Sequence, residues 1–263
     1  MSKSNLSFTG FVLIIFSSLV YISCGEETIA AKTIQPASLS YREEFDSMQK
    51  VIDAGWKAVN LSNPIGATSW QGGNFTVING KFGPEASGFP ANSFRASPNE
   101  YAWVNFTCGA GLSFINCWLI SPALSMKNGD VISFWTRTRE VVSYPDRMQV
   151  WLNPTNDGTN VGRNQNETGD FTVLMKGIAE GSTVVQSMDL NPTLTFSAFN
   201  KNNFAGSGFP TEWTRFVMTI TGLPNGTIAQ KHRVAFRYYV KDGGPGGLVS
   251  DEIGIDDFDF TSN

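Results

Sequence analysis

The chain has 263 residues, with 26 glycines, 12 prolines, 20 phenylalanines and a formal net charge of −4. This mildly acidic charge shows no pattern along the chain and argues against nucleic acid as a partner. The length suits one large all-β domain, because sandwiches often reach about 200–250 residues.

Residues 1–23 have the pattern of a secretory signal. Lys3 is the one charge, and the apolar stretch 8–22 that follows it is too short and too polar for a membrane span. Ser23 precedes Cys24, where a lipoprotein signal peptidase would cut, although Tyr21 occupies a position that usually holds Leu or Val. We predict that Cys24 is lipidated. The alternative is an ordinary secretory signal with an incidental cysteine.

Cleavage before Cys24 leaves 240 of the 263 residues, and the formal charge becomes −5 because only Lys3 is lost. Residues 24–40 are polar and rich in Ala, Thr and Ser, which predicts a tether. The folded domain is then 41–263. The acidic residues directly after Cys24 resemble an export signal of surface lipoproteins. We therefore expect an outer-membrane lipoprotein of the cell envelope that is exposed at the cell surface.

Short apolar segments separated by turn clusters fill the rest of the chain. This spacing is typical of an antiparallel β-sandwich or barrel. Strands are predicted, in chain order, near 41–49 (which also fits a helical turn), 54–59, 75–78, 101–107, 118–120, 131–138, 147–152, 171–175, 213–221, 232–240 and 252–260. A long polar loop is predicted over 153–170.

Two features give this pattern more detail. The segment 116–139 has two apolar runs around Asn128-Gly129-Asp130, a strong turn signal, and we predict a central hairpin there. In the last strand Ile253 and Ile255 have one parity and Phe258 and Phe260 the other. A bulge at 256–257 would bring both pairs to one face.

Several blocks, in order along nearly the whole mature chain, resemble the choice-of-anchor J domain family. They are N-L-S-N-P-I-G-A-T-S-W-Q-G-G-N-F (60–75), W-L-I-S-P-A-L (118–124), N-G-D-V-I-S-F-W-T-R-T (128–138), P-D-R-M-Q-V (145–150), F-P-T-E-W-T-R-F (209–216), V-A-F-R-Y-Y-V-K-D-G-G-P (234–245) and I-G-I-D-D (253–257). The resemblance implies an antiparallel β-sandwich of jelly-roll type, related to cleaved-adhesin and MAM-like domains, held at the cell surface. It implies no ligand, because the family has no general assigned activity.

Acidic residues gather near both ends of the domain, at 43–46 and at 256–257. The first and last strands of a jelly roll are commonly neighbours, and Ca²⁺ prefers about six to eight oxygen ligands. Related jelly rolls carry a structural Ca²⁺ in such a place. We expect a structural Ca²⁺ held by Asp46, Asn92 and Asp257. The alternative is that these are solvated acids at strand ends.

Catalytic motifs are scarce. His232 is the only histidine, so a Ser-His-Asp site would have to use it, and no G-x-S-x-G elbow is present. We predict a structural role for His232, and zinc is disfavoured for want of ligands. The glycine-rich segment 242–247 lacks the G-K-[ST] of a phosphate loop and is predicted to be a turn. A glycosidase-like carboxylate pair stays open, because no pair stands out.

Aromatic residues make up 13% of the chain. Trp118, Trp135 and Trp213 are predicted to lie in the core. Others lie near turns or on the face opposite the apolar one, where an exposed ring could stack on a sugar, although partial burial is the alternative. These candidate ligand-binding residues are Trp70, Tyr101, Trp103, Tyr144 and Trp151.

Cys108 and Cys117 are the only cysteines left once Cys24 is lipidated. An exported protein meets an oxidising compartment, and the glycines between them allow the chain to turn back, so we predict a disulfide. Two reduced cysteines that behave as small hydrophobic residues are the alternative.

The sequence as a whole predicts a surface-anchored, non-catalytic binding or adhesion module. Its partners would be the membrane, through the lipid, and a glycan or surface protein. The alternatives are a secreted hydrolase that acts on carbohydrate, similar to glycoside hydrolases, and a structural component of the envelope.

Overall fold

The computed structural model describes residues 40–73, 77–78, 81–82, 88–92, 101–139, 144–190 and 197–263. The chain divides into two units, 1–35 and 36–263, and only the second contains described residues. The predicted signal and Cys24 lie outside the described residues. No helix within these ranges is both long and apolar enough to cross a bilayer.

The elements follow the turn-separated pattern of the sequence. One α-helix, α1, covers Met48–Asp53, and one 3₁₀ helix covers Phe106–Cys108. The strands are β1 Tyr41–Glu43, β2 Lys57–Asn60, β3 Asn63–Ile65, β4 Gln71–Gly72, β5 Val77–Ile78, β6 Lys81–Phe82, β7 Ala102–Asn105, β8 Gly109–Ile120, β9 Leu124–Met126, β10 Val131–Arg137, β11 Met148–Asn153, β12 Val173–Leu174, β13 Lys176–Ala179, β14 Gln186–Ser187, β15 Asp189–Leu190, β16 Thr214–Thr219, β17 Gln230–Gly243 and β18 Glu252–Thr261.

These strands form a two-sheet antiparallel sandwich, so the predicted fold class is confirmed. The first sheet has the order β14-β13-β16-β10-β18-β7-β4, and β1 also pairs with β18. The second has the order β12-β11-β17-β8-β2, with β15 on β11, β3 on β8 and β9 on β17. Strands β5 and β6 pair with each other.

Inward side chains of both sheets share one core. Phe134 of β10 lies 4.8 Å from Phe236 of β17, ring centroid to ring centroid. Trp56, just before β2, meets Phe258 of β18 at 5.2 Å. Edge-to-face contacts of this kind add to the free energy of burial, so the two sheets depend on each other.

The predicted central hairpin at 116–139 is wrong. The turn is present, with Gly129 at φ 94°, but the apolar runs on either side of it belong to different sheets. Strand β8 pairs with β17, β2 and β3, whereas β10 pairs with β16 and β18. The chain crosses from one sheet to the other at the turn after β9, because β9 still pairs with β17 of the second sheet whereas β10 belongs to the first.

The end of the chain agrees with the sequence pattern. Between β10 and β18 the register shifts, because Ser133 pairs with Asp259 whereas Trp135 pairs with Asp256. Asp257 at φ 46° marks the predicted bulge. The bulge buries both Ile255 and Phe258. The first and last strands are neighbours, as expected, since β1 pairs with β18.

Candidate functional site

Most of the predicted sugar-stacking residues are buried. Trp70, Tyr101 and Trp103 are at most 5% exposed, so the exposure expected of these rings is not found and the alternative, burial, holds. Tyr101 stacks on Phe89 at 5.0 Å between ring centroids, and Trp103 donates its Nε1–H to a Glu252 oxygen at 2.8 Å. Phe89 packs on Tyr101 and Trp103, whereas Trp70 belongs to the central core, and strand alternation by itself reveals neither.

Trp151 is half-buried and donates its Nε1–H to Gln149 at 3.1 Å. It packs against an outer cluster that contains Trp118 and Phe171. The predicted polar loop covers this face of the second sheet, and Arg237 anchors it by donating to the Gln165 carbonyl at 2.7 Å. Trp118 is therefore buried, as predicted, although it lies outside the central core. Trp135 and Trp213 are only half-buried.

Tyr144 is 44% exposed and lines a cavity of about 260 Å³. This tip cavity lies between the 3₁₀ helix, the segment after β10 and the loop from β17 to β18. Its side-chain lining is Phe106, Arg139, Tyr144, Pro245, Ser250 and Asp251, and Gly244 and Gly247 add backbone. The glycine-rich segment predicted to be a turn therefore forms one wall.

Local hydrogen bonds hold this wall in place. Gly244, at φ 84°, donates its N–H to the Ser250 hydroxyl at 3.0 Å. The Ser250 N–H reaches the Pro145 carbonyl at 2.9 Å, and the Gly247 N–H reaches that of Gly244 at the same distance. A positive φ costs glycine little, so the loop can close tightly over the cavity.

Asp146 supports the cavity from inside the fold. Its carboxyl is fully buried and receives the Tyr238 hydroxyl at 2.5 Å and the Asp251 N–H at 2.9 Å on Oδ1. Burial, followed by the charge of Asp251, raises the pKa of Asp146 to about 8. Because these partners occupy it and it is fully buried, Asp146 does not reach the cavity.

The hydrogen bonds of Thr138 agree with a neutral Asp146. Its Oγ1 lies 2.8 Å from Asp146 Oδ2 and 2.7 Å from the Glu252 carbonyl. A hydroxyl has a single proton to donate. If Thr138 donates to Glu252, a protonated Asp146 can donate to Thr138 and every polar atom is satisfied.

Arg139 and Asp251 supply the charged wall of the cavity. The Arg139 Nε–H donates to a Glu252 oxygen at 2.7 Å and lies 3.3 Å from an Asp251 oxygen. Burial raises the pKa of Asp251 to about 6, although Arg139 lowers it. Sequence reasoning missed Phe106, Arg139 and Asp251 because the signal is spatial: they lie on three separate segments.

The predicted Ca²⁺ ligands are only partly together. The Asn92 amide donates to Asp257 at 2.9 Å, whereas Asp46 is exposed. Arg42 occupies the other Asp257 oxygen at 3.0 Å and so connects β1 to β18. Within the described ranges no three acidic, His or Cys side chains are grouped as a metal site. Ca²⁺ binding by Asp46, Asn92 and Asp257 therefore stays a prediction.

The predicted disulfide is absent from the structure, where Cys108 and Cys117 are free, buried thiols. The chain does turn back, at Gly111 with φ 58°, and the Cys108 side chain hydrogen-bonds that of Cys117. Burial and then this contact raise the pKa of Cys108 well above its usual value. The pair takes the alternative form, two small buried side chains.

His232 has the structural role expected of it. It is 3% exposed, and its Nδ1 lies 3.2 Å from the Asn153 carbonyl. Burial lowers the pKa of the imidazole, although this hydrogen bond opposes the shift. The ring therefore stabilises the start of β17.

The geometry thus defines an all-β sandwich with a candidate ligand cavity at its tip, formed by residues that the structure describes. No family model and no curated protein matches the chain, so its likeness to choice-of-anchor J domains stays a resemblance. Among solved structures, the K1 cleaved adhesin domain of Lys-gingipain (Kgp) from Porphyromonas gingivalis is 19% identical. The match covers 85% of this chain and 98% of that one, with a TM-score of 0.43.

Two further structures are similar at a comparable level. The K3 cleaved adhesin domain of the same gingipain is 18% identical over 86% of this chain and 100% of that one, with a TM-score of 0.44. The TmCBM61 structure, in complex with beta-1,4-galactotriose, is 9% identical over 84% and 99% of the two chains, with a TM-score of 0.38. These similarities are too remote to transfer a ligand or an activity to this chain.

Proposed function

We propose that the domain is a non-catalytic binding module that holds a glycan in the tip cavity. The observation that carries this proposal is the lining itself. The exposed ring of Tyr144 lies in the same cavity as the Arg139 and Asp251 side chains. Ligand sites generally combine apolar or aromatic walls with a few well-placed polar groups.

The size and chemistry of the cavity suit a single sugar ring. A volume of about 260 Å³ is below the roughly 300–1,000 Å³ typical of sites for drug-sized ligands. Tyr144 and Phe106 offer apolar surface to the C–H face of a ring. Arg139 donates hydrogen bonds and Asp251 accepts them. A sugar hydroxyl can accept from the first and donate to the second.

A surface protein is the second candidate ligand, because two exposed aliphatic side chains lie near the cavity, one early in β8 and the other in the loop from β17 to β18. Leu112 is 61% exposed and Leu248 80% exposed. The two segments meet where the Gly246 N–H donates to the Gly111 carbonyl at 3.0 Å. Neighbouring exposed apolar residues often mark contacts with a protein.

Binding of purified residues 36–263 to a glycan array tests the proposal. We expect saturable binding that falls at least ten-fold in Tyr144→Ala, because the largest exposed ring of the cavity is lost. Ile228→Ala is the matched control. It removes a side chain that is 66% exposed before the far end of β17, a strand of 14 residues and so roughly 45 Å long.

The other functional classes predict different results. Binding to a surface protein that is lost in Leu112→Ser/Leu248→Ser but kept in Tyr144→Ala would favour a protein ligand. Turnover of a bound oligosaccharide would indicate a hydrolase. If no glycan binds, or if Tyr144→Ala binds as well as Ile228→Ala, the proposal is wrong.

The module is anchored to the outer membrane through lipid on Cys24. The support is the apolar stretch that ends at Ser23-Cys24 and the polar tether that follows. One acyl chain binds membranes only weakly, so firm anchoring needs several chains. We expect wild-type protein in the membrane fraction and Cys24→Ala in the soluble fraction. Equal membrane association of the two proteins would contradict lipidation.

A further inference from the structure

Among the described residues, two carboxylates surround Arg139, the one cation in the lining of the tip cavity. The guanidinium of Arg139 faces two carboxylates, at 2.7 Å from Glu252 and 3.3 Å from Asp251. Asp146, behind them, is fully buried, and burial raises its pKa to about 8, so this carboxyl is predominantly protonated at pH 7. With Asp251 ionised, the local sum is therefore one negative charge.

Asp251 has hydrogen-bonding capacity that the fold does not use. Its side chain is 10% exposed and lines the cavity. Its backbone is engaged, since the N–H donates to Asp146 and the carbonyl accepts from Phe106. Across the part of the chain that the structure describes, its carboxylate has the ion pair with Arg139 and accepts no hydrogen bond. A carboxylate this deeply buried is stabilised by donors, which a ligand can supply.

Glu252 fixes the direction of Arg139. It is 1% exposed, and its oxygens also receive the Trp103 Nε1–H at 2.8 Å and the Gly88 N–H at 3.0 Å. Glu252 is thus held by the aromatic cluster on the outer face of the first sheet. Arg139 is positioned beside Asp251, so the donor and the acceptor can meet neighbouring groups of one ligand.

We propose that the tip cavity selects an uncharged sugar, gripped through adjacent hydroxyl groups by Asp251 and Arg139, and rejects acidic sugars. The inference rests on the proposed glycan binding and adds the class of sugar. Hydroxyl groups donate to the Asp251 carboxylate and accept from the Arg139 guanidinium, while Tyr144 covers the apolar face of the ring. A sugar carboxylate would add a third negative group around one guanidinium, and like charges at such distances repel strongly in a partly buried site.

Paired ligands that differ only at C6, where one has a hydroxymethyl group and the other a carboxylate, test this selectivity. Residues 36–263 are titrated at pH 7.5 with galactose and galacturonic acid oligomers of equal length, and with glucose and glucuronic acid. We expect at least one uncharged ligand to bind at least ten-fold more tightly than its acidic partner. The matched pairs keep the ring and its other hydroxyl groups the same, so the difference in affinity reports the exchange of the C6 hydroxymethyl group for a carboxylate.

Asp251→Asn identifies the residue responsible. The substitution keeps the shape and the backbone contacts but removes the charge and half of the acceptor capacity. We expect at least ten-fold weaker binding of the uncharged sugar and a smaller preference over the acidic one. Circular dichroism and the melting temperature establish that the variant is folded, and Ile228→Ala serves again as the unaffected control.

The outcomes separate this inference from the proposal beneath it. Equal binding of neutral and acidic sugars, with both lost in Tyr144→Ala, would overturn the selectivity but leave glycan binding at the cavity intact. Unchanged selectivity in folded Asp251→Asn would also overturn the assigned role of Asp251. If no glycan on the array binds, both the selectivity and the proposed glycan binding are wrong.

Discussion

At the level of single residues, the buried carboxyl of Asp146 makes the stability of the fold depend on pH. Its pKa of about 8 in the fold lies above the ordinary value of 3.8, so the folded state binds this proton more tightly than the unfolded chain. The resulting stability is complete below about pH 4 and is lost as the pH rises to about 8. The slope of that loss is at most roughly 1.4 kcal/mol per pH unit.

Asp146→Asn should remove this dependence. The amide imitates the neutral acid, because its oxygen can accept from Tyr238 and Asp251 while its N–H₂ donates to Thr138. Urea unfolding at pH 5.5 and pH 8 measures the effect. We expect the variant to gain stability relative to wild type at the higher pH, with exposed Asp53→Asn as control. A loss that is equal at both pH values would show that Asp146 is ionised in the fold.

At the scale of an element, β18 depends on one glycine. Gly254 pairs with Trp103 of β7 and Arg137 of β10, and the Phe89–Tyr101 ring stack lies over it. A Cβ built there would come within 2.7 Å of the Phe89 ring and 2.9 Å of the Tyr101 ring. Glycine ordinarily weakens a strand interior, but a close approach of this kind requires it.

Gly254→Ala should therefore destabilise the domain by about 1–3 kcal/mol, the usual cost of overpacking. Gly72→Ala, in β4 of the same sheet, is the matched control, since its Cβ would meet only Met48 at an ordinary 3.9 Å. Chemical denaturation compares the two variants with wild type. Equal stability of the two variants would mean that the ring stack shifts freely and does not constrain β18.

At the scale of the whole molecule, the shared core should make unfolding cooperative. Rings of both sheets meet directly, as in Phe134 with Phe236, so neither sheet keeps its buried face when the other unfolds. We expect residues 36–263 to melt in one transition, with equal calorimetric and van't Hoff enthalpies. Phe134→Ala should lower the melting temperature but keep a single transition. Two separate transitions in either protein would contradict the shared core.

The sequence by itself determined the fold class, the bulge of the last strand and the turn at Gly129. Each follows from local chemistry: alternation sets which side chains share a face, a change of parity requires an extra residue, and glycine accepts positive φ. The structural role of His232 and the pairing of the first and last strands also agree with expectation.

Only the tertiary structure decided which strands pair and which rings stay exposed. The runs on either side of the Gly129 turn looked like a hairpin, yet they joined different sheets, because the partner of a strand depends on distant residues competing for the same edge. Trp70 became buried in the central core, and Tyr101 and Trp103 became buried in a cluster with Phe89. Tyr144 stayed exposed beside Arg139 and Asp251 because folding brings together loops that lie about a hundred residues apart in the chain, and no local pattern records that distance.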